Sequence, residues 1–146
     1  MKISSKGDYG LRALVDLATN GRSGQPVQVK DIARRQNMPE EYLGQLMVTL
    51  RRAGLVNSVR GASGGYLLAR PTDQITVADV LESLEGSLAL LDGLSERPER
   101  RAGAGPGLAI REVWWEATQA ALKVLKSTTV HDLAEREALQ AYTYQI

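Results

Sequence analysis

Polar side chains near the middle of the chain are of the types that hydrogen-bond to the edges of nucleic-acid bases. Glu40 and Glu41 follow directly after Pro39, and Gln45 comes four residues after Glu41. A glutamine can pair with adenine through two hydrogen bonds, and a glutamate can accept one from cytosine. Glu40 and Glu41 have a second explanation, because acidic residues in the first turn of a helix stabilise its dipole. The segment therefore predicts either a base-reading helix end or an ordinary helix start.

Residues suited to holding phosphates flank that segment. Arg51 and Arg52 come at the end of the same predicted helix, and Arg60 precedes the glycines of RGASGG. Glycines allow positive φ and bring backbone N–H groups near a phosphate, and an arginine beside them can enter a minor groove. RGASGG lacks the Gly-Lys-Ser/Thr ending of a nucleotide-binding loop. The complete set of predicted DNA contacts is Lys2, Ser4, Lys6, Tyr9, Gln28, Lys30, Pro39, Glu40, Glu41, Tyr42, Gln45, Arg51, Arg52, Ser58, Arg60, Gly61, Ser63 and Gly64.

Three residues near these candidates have competing explanations. Tyr9 and Tyr66 are either rings that contact the nucleic acid or rings at the edge of the core. Gly44 costs the predicted helix about 1 kcal/mol relative to alanine. Close approach to DNA would justify that cost, and so would close packing against the first helix.

The elements around these residues are predicted from their periodicity. Apolar residues at helical spacing indicate helices over Ser5 to about Asn20, Val29–Gln36 and Pro39–Ala53. Strands are predicted over Leu55–Val59 and Tyr66–Ala69, joined by a turn from Arg60 to Gly65. Capping patterns open three helices, at Ser5 with Asp8, Thr76 with Asp79, and Thr129 with Asp132. Helix, turn, helix and hairpin in this order are typical of a winged helix-turn-helix domain.

The C-terminal part of the chain contains a long apolar stripe at helical spacing. Its members are Ile110, Val113, Trp114, Ala117, Ala121, Val124 and Leu125. Packing against a second copy of the chain is one way to cover so broad a stripe, and packing back onto the N-terminal domain is the other. The Gly- and Pro-rich segment before it predicts a flexible linker. We therefore expect a mainly α protein with a two-stranded β wing, divided into residues 1–86, the linker 87–107, and a dimerisation helix with a final helix over 108–146.

Composition restricts the function classes. Residues 1–70 contain eleven Lys and Arg against five Asp and Glu, a balance of +6, whereas residues 71–146 carry −5. A basic half beside an acidic half suggests that the first half meets a polyanion. With 43% apolar residues the chain can form a core, yet no run approaches the length of a membrane span. The N-terminus has no apolar signal segment, so the cytoplasm is the expected location.

The sequence contains no cluster of residues suited to catalysis or metal binding. The chain has no cysteine and one histidine, His131, which has no second histidine to form a cluster. Disulfides, thiolate metal sites and a cysteine nucleophile are excluded. The sequence thus predicts no enzyme, no metal site and no cofactor, and it favours a surface or packing role for His131.

Several motifs together resemble the Rrf2 family of bacterial transcription regulators. They are KISSKGDYGLRALVDLA, IARRQNMPEEYLGQLMVTLRRAGLVNSVRGASGGYLLARP, ITVADVLESLEG and WWEATQAALKVLKSTTVHDL. The wing RGASGGYLLARP and the preceding LRRAGLV are the most specific of these. The resemblance implies a homodimer that binds a partly palindromic operator, usually as a repressor. It also implies DNA contacts by the Lys-Ser-Lys segment, the second helix of the motif and Arg60 on the wing.

The chain lacks the cluster-binding cysteines that many members of that family have. Many members hold an iron–sulfur cluster through three cysteines between the helix ending near Gly86 and the dimerisation helix, and some add an acid at the position of Asp8. Residues 87–107 contain neither Cys nor His, and Asp8 alone cannot hold a cluster. The resemblance then implies the cluster-free branch, in which a partner protein or a small molecule supplies the signal. Gly44 also replaces a residue that is often acidic in relatives, so the operator sequence of a relative cannot be assigned to this chain.

The alternative function is a winged-helix protein–protein module that has lost DNA binding.

Overall fold

Six α-helices and one β-hairpin make up the part of the chain that the computed structural model describes, residues 1–21, 24–90, 94, 96–99 and 105–145. In chain order they are α1 (Ser5–Asn20), α2 (Val29–Gln36), α3 (Glu40–Arg52), β1 (Val56–Val59), β2 (Gly65–Leu68), a 3-10 turn (Thr72–Gln74), α4 (Val77–Glu85), α5 (Leu108–Ser127) and α6 (Val130–Gln145). This order confirms the mainly α fold with a two-stranded wing. None of the helices described is long and apolar enough to cross a bilayer.

Helix α1 lies at the centre of the main core. Ala13 and Leu14 on α1 are fully buried. Residues from every neighbouring element pack around them, namely Ile32, Leu43, Met47, Leu50, Val56, Ile75, Val80 and Val130. Burying one such aliphatic side chain stabilises the fold by about 1.5–3 kcal/mol. The core therefore fixes α2, α3 and the base of the wing relative to α1.

The wing is a short antiparallel hairpin whose register runs from Val56 opposite Leu68 to Val59 opposite Gly65. Each strand lies within one residue of its predicted limits. Val27 extends the sheet, since its N–H donates to Tyr66 O at 3.0 Å and its carbonyl accepts from Tyr66 N at 2.8 Å. The wing is thereby attached to the segment that leads into α2.

The cap predicted for α1 and the first residue predicted for α3 are each displaced by one residue, whereas α1 itself spans Ser5–Asn20 as predicted. The N-cap of α1 is Ser4 and not Ser5, because Ser4 Oγ accepts the Lys6 N–H at 3.2 Å. Pro39 is the N-cap of α3 and not its first helical residue, with φ −63° and ψ 128°. Proline's fixed φ suits both positions, so the sequence does not distinguish them.

Helix α5 packs against α4. Val77, Ala78, Leu81 and Leu88 form a second buried cluster, against which Leu122 and Leu125 of α5 pack. Two of the three predicted capping pairs are present, Thr76 with Asp79 and Thr129 with Asp132. Of the predicted linker, Leu88 and Leu94 are buried, at 5% and 3% exposure. Residues 91–93, 95 and 100–104 of that segment lie outside the described residues.

Candidate nucleic-acid interface

The first two turns of α3 present the predicted base-reading side chains to solvent. Glu40, Glu41 and Gln45 are exposed. The opposite face of the helix is buried through Leu43, Leu46, Met47 and Leu50. Since these four anchors fix the rotation of α3 about its axis, the polar edge has a defined direction. Glu40 and Glu41 also lie in the first turn, where they stabilise the helix dipole, so both explanations remain compatible with the geometry.

Two tyrosines bring the N-terminus of α1 beside this edge. The rings of Tyr9 and Tyr42 meet edge to face, with centroids 5.9 Å apart at 73°. Ser5 Oγ lies 3.4 Å from Tyr42 Oη, and the Arg12 guanidinium lies 5.4 Å from the Tyr9 ring. Tyr9 also packs against the main core, which matches its prediction as a core-edge ring. Ser5 and Tyr9 therefore lie beside the start of α3, and Lys2 and Lys6 are exposed in the same N-terminal segment.

A carboxylate from α4 caps this N-terminus. Glu85 Oε1 accepts the Ser4 N–H at 2.9 Å, the Ser4 hydroxyl at 2.6 Å and the Gly7 N–H at 3.0 Å. The Ser4 hydroxyl bond is the main cause that holds the pKa of Glu85 below its ordinary value, with the two backbone N–H groups and Lys6 adding to it. Sequence reasoning missed Glu85. The available signal was Gly7, which stands where a capping box needs an acid, three residues after Ser4.

The tip of the wing exposes Arg60, Gly61 and Ser63, and Ser58 is exposed on β1. Gly64 differs from this group. It is buried, and its N–H donates to Gly61 O at 3.0 Å, so that N–H is not directed at a ligand. A Cβ on Gly64 would lie 2.1 Å from Val59 O, whereas Gly61 and Gly65 have positive φ. Gly64 is thus required by close packing within the turn, not by φ as predicted.

The start of α2 touches the wing. Gln28 Nε2 donates to Ala62 O at 3.1 Å, and Lys30 is exposed two residues later. A buried ion pair fixes α2 on α1. Asp16 is 3% exposed and accepts from Arg35 through two bonds of 3.0 and 2.7 Å, and from Gln36 Nε2 at 3.1 Å. The hydrogen bond to Asp16 raises the pKa of Arg35. Sequence reasoning missed this pair.

The remaining predicted contacts are not all in one place. Arg51 and Arg52 are exposed at the other end of α3, about 15 Å along the axis from Glu41 at 1.5 Å per residue. They can contact a phosphate but do not share the base-reading turn. Tyr66 is half-buried against the core and bridged to Val27, which matches its prediction as a core-edge ring.

Gly44 has open space above its Cα. A Cβ built there has no heavy atom within 4 Å outside its local neighbours. Close packing against α1, one of the two explanations for this glycine, is therefore wrong. Close approach of an external molecule to α3 is the explanation that the geometry leaves.

One face of α5 is uncovered. Ile110, Val113, Trp114 and Val124 are 58%, 55%, 43% and 63% exposed. Ala117 is exposed and Ala121 is half-buried beside them. Leu125, which the sequence placed in the same stripe, instead packs against the α4 cluster together with Leu122. The stripe is thus divided between an inner face and an outer face.

The donors of this chain do not fit an iron–sulfur cluster. The chain has no cysteine, and no group of three His, Cys, Asp or Glu that could hold a metal occurs among the described residues. His131 lies on the surface, with Nε2 3.1 Å from Glu135 and Nδ1 3.4 Å from Thr72 Oγ1. Asp8 pairs with Arg12 at 3.5 Å.

Comparison with known proteins gives a consistent result. The Rrf2 family model, described as an iron-dependent transcriptional regulator, matches residues 3–136. The HTH-type transcriptional regulator CymR of Bacillus subtilis is 41% identical over 97% of this chain and 99% of its own length. The HTH-type transcriptional regulator IscR of Cereibacter sphaeroides is 38% identical, over 94% and 89%.

Solved structures agree with these relatives. The structure of CymR, the global cysteine regulator of B. subtilis, superposes with a TM-score of 0.76 at 40% identity and covers 93% of this chain and 98% of that one. The structure of T. potens IscR gives 0.74 at 39% identity, with 99% and 96% covered.

Proposed function

Because the chain belongs to the Rrf2 family of transcriptional regulators and not to an enzyme family, we propose that it represses transcription as a homodimer that binds a specific operator without an iron–sulfur cluster. One observation carries the DNA-binding part of this proposal. The exposed polar edge at the start of α3 lies beside Ser5 and Tyr9, in the segment that carries Lys2 and Lys6, and the chain continues from the far end of α3 into the wing that carries Arg60. That arrangement suits a helix in a major groove with flanking phosphate contacts.

In this proposal the contacts divide by chemistry. Lys2, Lys6, Arg51 and Arg52 bind phosphates, which supply most of the affinity but no sequence information. Glu41 and Gln45 read base edges in the major groove. Arg60 at the wing tip enters the adjacent minor groove, whose width depends on sequence. The +6 charge of residues 1–70 supports this division.

The signal comes from outside the chain's own residues. Without thiolates the protein cannot report on iron or redox state through a cluster. A partner protein or a small molecule supplies the signal instead. The B. subtilis relative is named a global cysteine regulator, so genes of sulfur metabolism are the first operators to test.

Selection of bound genomic fragments tests the function. Purified protein is incubated at about 150 mM salt with sheared genomic DNA, because phosphate-driven affinity depends steeply on salt. We expect an enriched motif with dyad symmetry, and we expect Gln45→Ala to retain fragments without that motif. Retained fragments that share no motif, together with a flat salt dependence, would contradict the proposal and favour the protein–protein module.

Gly44→Ala should change stability and binding in opposite directions. Alanine at an open helical position stabilises the folded protein by about 0.5–1 kcal/mol. The added methyl group occupies space that the DNA approaches, and overpacking of this kind costs about 1–3 kcal/mol in a close interface. We therefore expect a higher urea midpoint together with operator affinity reduced about tenfold, measured by denaturation and fluorescence anisotropy. A more stable variant with unchanged affinity would show that α3 does not approach DNA at this residue.

A further inference from the structure

Glu85 is an acid in a place that local helix physics disfavours. It is the last residue of α4, where a negative charge opposes the helix dipole. It also brings a negative charge to the basic N-terminal segment, close enough to interact with Lys6. The first effect costs stability and the second weakens the attraction of a polyanion, so its presence at this position needs an explanation from its contacts.

Those contacts are all with the start of α1. One carboxylate oxygen, Glu85 Oε1, accepts three hydrogen bonds from Ser4 and Gly7. Free N–H groups at a helix N-terminus attract anions such as phosphate. Here the carboxylate occupies the N–H groups of Ser4 and Gly7 and the Ser4 hydroxyl. These donors of Ser4 and Gly7 are therefore satisfied within the protein, and phosphate contact by Ser4 stays a prediction.

The packing of α1 on α4 is equally close. A Cβ at Gly7 would lie 2.7 Å from Leu81 Cδ2 and 2.8 Å from Glu85 Oε1. A Cβ at Gly10 would lie 2.2 Å from Leu84 Cδ1. Two glycines one turn apart thus allow α1 to approach α4 until the carboxylate reaches the backbone of Ser4.

We propose that Glu85 is a positioning residue for DNA binding, holding residues 2–7 so that Lys2 and Lys6 both face the phosphate backbone. This inference rests on the proposed function. Residues 1–4 precede α1, and Glu85 holds them to the folded domain through Ser4. Without the carboxylate, the start of α1 is no longer held in this position, and the two lysines lose their phosphate contacts. A negatively charged residue thereby increases affinity for a polyanion.

A matched pair of charge-removing variants tests the proposal. Glu85→Ala and Glu82→Ala each remove one negative charge from α4. Glu82 differs from Glu85 in that it is exposed and lies three residues earlier in the helix. If only net charge mattered, both variants would bind DNA as tightly as the wild type or slightly more tightly. We expect instead that Glu85→Ala binds about tenfold more weakly, whereas Glu82→Ala does not lose affinity. The plot of log K against log salt should lose about two units of slope in Glu85→Ala, the contribution of two phosphate contacts.

The readouts separate positioning from simple stabilisation. In a Lys2→Ala, Lys6→Ala background, Glu85→Ala should cause no further loss of affinity, although its loss of folding stability should persist. Equal affinity and salt slope for Glu85→Ala and the wild type, with only the melting point lowered, would overturn the inference and leave the function intact. Measurements use a generic 30-bp duplex as well as the selected operator, since phosphate contacts do not depend on sequence. A wild-type protein that binds neither duplex overturns both the inference and the proposed function.

Discussion

Asp16→Ala is expected to lower the free energy of unfolding by about 3 kcal/mol, the lower part of the range for breaking a buried ion pair. Asp16 is 3% exposed, and its carboxylate accepts two bonds from Arg35 and one from Gln36. The truncation leaves the guanidinium next to the core without its partner. The Arg35 side chain is 34% exposed, so water recovers part of the loss. Urea denaturation at a fixed protein concentration measures the change.

Asp31→Ala is the matched control for this experiment. Asp31 pairs with Arg34 at 3.3 Å on the surface of α2, and the Arg34 side chain is 75% exposed. An exposed pair of this kind contributes less than about 1 kcal/mol. The further removal of Arg35 in the Asp16→Ala background should cost little, because the two groups act as one unit. Equal losses for the Asp16 and Asp31 variants would contradict the assignment of Asp16 as the anchor of α2.

Local capping patterns show which contacts can be predicted from the sequence alone. Thr76 with Asp79 was predicted as a capping box, and both reciprocal bonds are present at 3.0 Å. Donor and acceptor lie three residues apart there, so the pattern is visible in one segment. At α1 the same reasoning chose Ser5 with Asp8, but the cap is Ser4 and its acid is Glu85. A partner 81 residues away leaves no local pattern.

Residues that join two helices are hidden from sequence for the same reason. Asp16 stands between Val15 and Leu17 in a helix that also exposes charged residues, and its partner Arg35 comes from the next helix. Only the packing of α1 on α2 shows that the carboxylate is buried. The exposed residues on the wing and α3 were easier to predict. They belong to a short motif, and the position of a residue in that motif determines whether its side chain faces solvent. What each of those residues binds stays a prediction.

Val113→Glu should convert the protein to a monomer and lower operator affinity by 100-fold or more. Val113 is 55% exposed, and Ile110 and Val124 on the same face are exposed by more than half. The other face of α5 is already occupied, since Leu122 and Leu125 pack against α4. Ile110, Ala117 and Val124 are spaced seven residues apart, the repeat of a two-stranded helical interface. A second copy of α5 is therefore the occupant that we propose for the outer face.

The expected loss in affinity follows from the link between two half-sites. A dimer binds its second half-site intramolecularly, which raises affinity by about 10²–10⁴ over one subunit. Gln119→Glu adds the same charge to the exposed part of α5 away from the apolar face, and it should stay dimeric and bind the operator normally. Sedimentation distinguishes a subunit of 15.9 kDa from a pair. A wild-type monomer, or a Val113→Glu dimer with full affinity, would contradict the interface and would require that α5 is covered in another way.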